Sequence, residues 1–246
     1  MHLADIPLIL PAAGKSSRLG TPKGLRTHHG RIWLEVQCES FHAAGGKTVV
    51  LVLGYDGIEY RKALGISADE YPRAISIDGI EVWVLNNPLP EWGPFTSLQT
   101  AAEWITTNTV HPAGFYLPID TPVPSAGVFA ALVDASGSDT DAVEPRLGEV
   151  GGHPVLLSRN FLRHILTLDP RDAESRLDFL MRRSRERGRV SSVAVDDRRV
   201  AMNLNDAEAW RYFEKYERPS RYETSAHKYD ILEGEIELDQ PVSSSR

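Results

Sequence analysis

The chain has a single cysteine, Cys38, in 246 residues, so no intrachain disulfide can form. Cys38 falls in the helical-looking stretch Trp33–Ala44 and reads as a small core residue. No apolar run approaches the roughly 18 residues of a membrane-spanning helix. The first residues carry no basic stretch ahead of an apolar run, so no secretory signal is expected and the expected location is cytoplasmic. Positive charge is also in short supply, with 27 Lys and Arg against 34 Asp and Glu for a net charge of -7. That balance argues against broad binding to nucleic acid or to an anionic membrane. An anionic ligand would need local cations or a metal to overcome the field. The basic run Arg182 to Arg187 is interrupted by Glu186 and reads as a solvated helix face. His28 and His29 have no Cys or His partner at ligand spacing, so they read as solvated loop. Internal repeats and low-complexity linkers are absent as well.

What is present begins with Gly14-Lys15-Ser16, which looks like the end of a P-loop. The spacing excludes one. G-x-x-x-x-G-K-[ST] needs a glycine where the chain has Ile9, inside an apolar run that reads as a buried strand. A dinucleotide fingerprint fails too, because counting from Gly14 the required glycines are Ser16 and Leu19. A small-residue turn directly after a strand, followed by Arg18 and Lys23, still suits phosphate. Backbone amides form a concave nest and two cations neutralise oxygens.

Strand-like and helix-like stretches alternate. Strands are expected at Ile6–Leu10, Thr48–Leu53, Glu81–Leu85, Gly114–Ile119 and from Asp141 to Val143. Helices are expected near Trp33–Ala44, Ile58–Leu64, Phe95–Ile105 and Val128–Ala135. Further on, His153–Leu157, Val190–Val195 and Val200–Leu204 read as strands. Arg171–Arg187 reads as a charged helix carrying Leu177, Leu180 and Met181, and Asp206–Tyr216 as a closing helix capped by Asp206. With 41% hydrophobic residues the chain can bury a sizeable core. The βαβα order predicts an α/β fold with a mostly parallel sheet and helices on both faces. In such sheets ligands sit at the C-terminal strand ends, where the Gly14 loop and Asp120 both fall. Residues 1–216 read as one domain and 217–246 as a polar extension.

Four stretches line up in order. They are Pro11 to Gly20 with Pro22 to Leu25; Asn86 to Pro88 with Gly93 to Ser97; Leu117 to Pro122; and Gly152 to Leu156 with Asn203 to Asp206. Together these resemble the MobA-like nucleotidyltransferases over roughly residues 6–216, most nearly the molybdenum cofactor cytidylyltransferases. The resemblance implies a Rossmann-like three-layer α/β/α fold. It implies attack by an acceptor phosphate on the α-phosphorus of a nucleoside triphosphate, with CTP favoured and pyrophosphate released. It assigns Ala12, Ala13, Gly14, Ser16, Arg18, Lys23, Asn87, Gly93 and Ser97 to the nucleotide. Arg18, Lys23 and Asp120 become the catalytic set, Asp120 and Asn205 the ligands of Mg²⁺, and Gly152, His153 and Pro154 the acceptor site.

The chemistry is compatible with such a role, since phosphoryl-type transfer depends on positioning and charge neutralisation. Mg²⁺ prefers carboxylate and phosphate oxygens. Read on its own, Asp120 before Thr121-Pro122 is equally a turn-capping aspartate. Ser97 is equally an exposed first-turn residue, and Asn86 to Pro88 a simple turn. The chain departs from the family pattern at Pro11, at Ile119 where a glycine often precedes the aspartate, and at Asn203 and Asn205 in place of Asp-x-Asp. An amide ligates through oxygen but brings no charge. Two other readings stay open: a different phosphorylated acceptor such as a sugar phosphate, and a non-catalytic nucleotide- or cofactor-binding protein.

Overall fold

The computed structural model describes residues 1–15, 20–67, 71–216 and 230–231 of the chain. Leu8–Ala12 (β1) leads through a loop to a small ribbon, Thr27–His28 (β2) with Arg31–Ile32 (β3), and then to helix Trp33–Ala43 (α1). Thr48–Leu53 (β4), Gly57–Leu64 (α2), Arg73–Ile77 (β5), Ile80–Asn86 (β6), Pro94–Asn108 (α3) and Ala113–Tyr116 (β7) follow. The second half holds Ala126–Asp134 (α4), Ala142–Leu147 (β8), Val150–Gly151 (β9), Val155–Ser158 (β10), Arg159–Leu166 (α5), Leu177–Glu186 (α6), Val190–Ala194 (β11) and Ala207–Tyr216 (α7). The pair Asp230–Ile231 (β12) closes the order.

The large sheet runs β11-β8-β10-β7-β1-β4-β6-β5-β12, with β9 on β8. β1 is parallel to β4 and β7, β4 to β6, and β8 to β11, whereas β5 and β10 run antiparallel to their neighbours. The chain winds from β1 outward through β4 and β6, then returns to place β7 on the other side of β1. The β1/β7 boundary is therefore the switch point, where loops diverge and leave a crevice. Pairing between β1 and β7 stops at Leu8 and Ile9, so the ladder has opened by Pro11.

The central strands are apolar without alternation because both of their faces are covered. Leu8, Leu10, Val49, Leu51 and Leu53 join one core with Phe41 of α1, Leu64 of α2, Phe129 of α4 and Trp210 of α7. Ile9, Val50 and Val52 join a second core with Leu98 and Ile105 of α3, Phe161 of α5 and Leu180 of α6. Successive side chains point to opposite faces, so one unbroken run feeds both layers. This is the three-layer α/β/α arrangement.

Several boundaries differ from expectation. The strand read as Ile6–Leu10 lies at Leu8–Ala12, and the one read as Gly114–Ile119 stops at Tyr116. Arg171–Arg187 is helical only from Leu177; the polar residues before it turn instead, held by Arg171 and Arg176 on Asp169 and Asp178. Val200–Leu204 is no strand but the end of a tight turn, Arg198–Ala201, and an extended segment. β5 and α5 were not anticipated. Asp78 and Gly79 join β5 to β6 with φ values of 51° and 81°, the two-residue turn that an Asp-Gly pair favours. α5 is capped by Ser158, whose Oγ accepts from Phe161 N at 3.3 Å. His28 is not solvated loop: it is 2% exposed and packs in a box of Trp33, Trp210 and Phe213, while His29 stays exposed. Cys38 is fully buried. No helix among the described residues is long and apolar enough to cross a membrane.

Candidate active site

A cleft of about 450 Å³ opens over the β1/β7 boundary. Ala12, Ala13, Gly14 and Lys23 line one side, Gly93 and Ser97 another, and Tyr116 and Asp120 the third. The residues read from separate stretches of sequence thus meet in one place. Ser16 and Arg18 lie outside the described residues. Asn87, Asn205 and the Gly152 to Pro154 segment do not line this cleft, although each is bonded to or packed beside residues that do.

The floor carries charge. Lys23 Nζ donates to Asp120 Oδ2 at 2.6 Å and also hydrogen-bonds Asn205 Oδ1. Three sequence-distant residues are brought together by backbone contacts. Leu204 N donates to the Asp120 carbonyl at 2.7 Å, which sets Asn205 beside the aspartate. Asn203 is exposed, so only one of the two asparagines faces Lys23. The Asp120 turn is pinned from behind by α1: Trp33 Nε1 donates to Ile119 O and Gln37 Nε2 to Thr121 O, both at 2.7 Å, and Val123 N donates to Gln37 Oε1 at 2.9 Å. The Lys23 loop is held by Tyr60, whose buried hydroxyl accepts from Gly24 N at 2.8 Å. Burial raises the Tyr60 pKa well above the usual phenol value, so the ring stays protonated.

Trp33, Gln37 and Tyr60 were not singled out from the sequence. A glutamine in the middle of an apolar helix face was the one available signal, because a buried amide must find partners.

The wall built from the Gly14 loop and the start of α3 is preorganised. Tyr55 N donates to Ala13 O at 3.3 Å, and a Cβ built on Gly54 would come within 2.6 Å of the Ala13 Cβ. Ala13 therefore packs closely on Gly54, an approach that only a glycine there allows, and it is buried. Lys15 reaches over the Tyr55 ring, 4.4 Å from its centroid. Gly93 enters α3 with φ 91°, a conformation that side chains resist, and Pro94 takes the first helical position. Ser97 is buried rather than exposed. Asn87 ties the turn to the helix: its Nδ2 donates to Thr96 Oγ1 at 2.9 Å and Ser97 Oγ at 3.0 Å, and its Oδ1 accepts from Leu89 N at 2.9 Å. Those bonds place Asn87 behind the cleft wall.

On the other side, Gly152 packs against Val200, where an added Cβ would meet the Val200 carbonyl at 2.5 Å. His153 follows, linked to Pro154 by a cis peptide, with its ring 6.0 Å from that of Tyr116. Burial lowers the His153 pKa, opposed by the Tyr116 main chain and by the Asp120 and Glu144 charges. Burial, aided by the Asp120 charge, pushes Tyr116 up to about 12.

No group of three or more His, Cys, Asp or Glu among the described residues could hold a metal by itself. The donor set nevertheless suits a hard divalent cation shared with phosphates: one carboxylate and one amide oxygen already converge on a positive charge, the Lys23 ammonium.

Taken together, the layers and the switch-point cleft define a Rossmann-like three-layer α/β/α protein with a candidate site at the strand ends. Solved structures share this fold. Rv0371c from Mycobacterium tuberculosis H37Rv superposes with a TM-score of 0.64 at 23% identity, over 85% of this chain and 98% of that one. The same protein is also solved in complex with manganese, with a TM-score of 0.60, 19% identity and coverage of 86% and 98%. A nucleotidyl transferase from Methanothermobacter superposes at 0.66, with 19% identity over 86% and 96%. The molybdopterin-guanine dinucleotide biosynthesis protein A of Archaeoglobus fulgidus superposes at 0.55, with 12% identity over 85% and 97%. No curated protein sequence gives a significant match. The sequence profile of the MobA-like NTP transferase domain matches residues 8–188, and the chain belongs to that family.

Proposed function

We propose that this protein transfers CMP from CTP to a phosphate of a molybdopterin-type cofactor. An acceptor phosphate oxygen forms the new bond to the α-phosphorus, the bond from that phosphorus to the bridging oxygen breaks, and pyrophosphate leaves. The observation that carries the reading is the Lys23–Asp120 pair at the floor of the switch-point cleft, with Asn205 bonded to Lys23 from behind the lining. Lys23 neutralises phosphate charge as pyrophosphate departs. The amides around Gly14 approach the triphosphate, and Ser16 and Arg18 are assigned to the same phosphates.

Asp120 and the Asn205 oxygen would hold a magnesium-type ion, which when bound supplies charge neutralisation at the phosphates. The manganese complex of Rv0371c supports divalent metal use in this fold. Ala12, Ala13, Gly93 and Ser97 surround the base and ribose, with Asn87 bracing them, and the Ala13 methyl disfavours a purine. Gly152, His153 and Pro154 form part of the acceptor side. The test is pyrophosphate release with each of CTP, GTP, ATP and UTP against a molybdopterin-type acceptor and sugar phosphates. Turnover with CTP and the pterin acceptor supports the reading. Turnover only with another pair, or with none, overturns it.

A further inference from the structure

Among the described residues the sheet order ends at β11, which presents one side to β8 and the other to solvent. Parallel pairing uses the main-chain groups of alternate residues. Arg189 O accepts from Ala142 N, and Val195 N donates to Arg146 O, so the odd-numbered residues of this strand face β8. The N–H and C=O groups of Val190, Ser192 and Ala194 are therefore directed outward. The opposite end of the sheet differs, because β5 there carries β12 along its outer side. Edge strands of monomers are commonly blunted by a lysine, a proline or a bulge. Val190-Ser191-Ser192-Val193-Ala194 has no charge and no proline, and it keeps unbroken register with β8. Ser192 and Ala194 are exposed, and both are small.

We infer that β11 is the contact for a second copy of this chain, the two strands pairing antiparallel about a twofold axis through Ser192. Outward-facing groups must meet outward-facing groups, so even-numbered residues lie opposite even-numbered ones. Full overlap of the strands then places Ser192 opposite Ser192 and Val190 opposite Ala194 at each end. Each pair exchanges hydrogen bonds, and no large side chain stands on the axis. Charge selects the same arrangement. Arg187 precedes the strand and Asp196 follows it, both exposed. In this register Gly188 falls opposite Asp196 of the second copy, which brings Arg187 beside that carboxylate on both sides of the axis. A parallel pair would set like charges side by side. Asp197 is held by Arg199 at 2.7 Å, and Arg198 turns toward Tyr212. β8, β10 and β7 stand between β11 and β1, so the cleft stays open in both copies.

Light scattering of the full chain over a concentration series, together with oxidative cross-linking, tests this. An edge contact of this kind is small, so the dimer should be weak and the measured mass should rise with concentration. Ser192→Lys sets two ammonium groups against each other on the axis and should return the protein to a monomer with an unchanged circular dichroism spectrum. Ser192→Cys should form an interchain disulfide under mild oxidation, because hydrogen-bonded antiparallel pairs hold their Cα atoms about 5.5 Å apart, within disulfide reach. Ala194→Cys should not, because its counterpart in the second copy lies about 14 Å away. The native Cys38 is fully buried and adds no background. A monomer mass up to about 1 mM overturns the interface. A dimer that survives Ser192→Lys places the contact elsewhere and overturns it too. Cross-linking of Ala194→Cys as readily as Ser192→Cys, or of neither, overturns the register. The cysteine pair keeps the test decisive should Ser192→Lys fail to fold.

Discussion

Lys23 Nζ lies 2.6 Å from Asp120 Oδ2, joining residues 97 apart in sequence across the β1/β7 boundary. Both side chains are partly shielded, 25% and 16% exposed, so the pair is neither fully screened nor fully desolvated. A divalent cation taken up by Asp120 competes with this ammonium. In Lys23→Ala, Mn²⁺ affinity without nucleotide should rise several-fold, because like charge no longer opposes the ion. Electron paramagnetic resonance of free Mn²⁺ reads this directly, and an unchanged dissociation constant contradicts it. Turnover should fall by about 100-fold as the phosphates lose their cation.

Asp120→Asn should lower kcat by about 100-fold or more while the protein stays folded. The turn itself is held by Trp33 and Gln37 through main-chain carbonyls, not through the Asp120 carboxylate. Near-normal pyrophosphate release at saturating Mg²⁺, with an unchanged circular dichroism spectrum, would remove Asp120 from the catalytic set.

Ala13 should set nucleotide preference. One methyl discriminates by about 1–3 kcal/mol, so CTP should exceed GTP in kcat/KM by about tenfold. Ala13→Gly should narrow that ratio without altering the metal requirement. Equal use of CTP and GTP by the wild type would be incompatible with this role.

Asp197 links α4 to the turn at Arg198–Ala201. Burial would raise its pKa, but bonds from the Arg199 guanidinium, Ser125 N at 2.7 Å and Arg199 N hold it at about 2. A carboxylate depressed in the folded state stabilises above its unfolded pKa of roughly 3.9 and loses that contribution as pH falls toward the folded value. Asp197→Asn should cost about 1 kcal/mol near neutral pH once solvent screening is allowed for. The gap to wild type should close between about pH 4 and pH 2. Urea unfolding at a series of pH values measures it, and a gap that persists at the acid end would contradict the assignment.

Deleting residues 225–246 should leave turnover within roughly twofold of the full chain. Within that stretch, Asp230 and Ile231 pair with Ser76 and Ile75 at the sheet edge, far along the strand order from β1 and β7. A large loss of activity in the shortened protein would show that the segment serves the site.

Much of this protein was legible before its structure. Thr48–Leu53 reads as a strand and is one with the same bounds, because a β-branched Thr48 followed by five apolar residues suits a short strand covered on both faces. The Gly14 loop and Asp120 could be placed at strand ends by the same logic of short-range pattern. β5 and α5 are also encoded locally, in Asp78-Gly79 and in Ser158 ahead of Phe161, Leu162 and Ile165, but their short, mixed patterns do not stand out from loop sequence.

Tertiary structure alone decided other matters. Whether His28 is solvated depends on Trp210 and Phe213, which arrive from the last helix. That Asn205 rather than Asn203 meets Lys23 follows from one backbone bond, Leu204 to Asp120. Trp33 and Gln37 support the Asp120 turn across separations of 86 and 84 residues. Periodicity and turn chemistry act over a few residues and are written in the sequence. Which side chain completes a distant loop's hydrogen bonds is set by how whole helices seat on the sheet, and that is settled only when both faces pack.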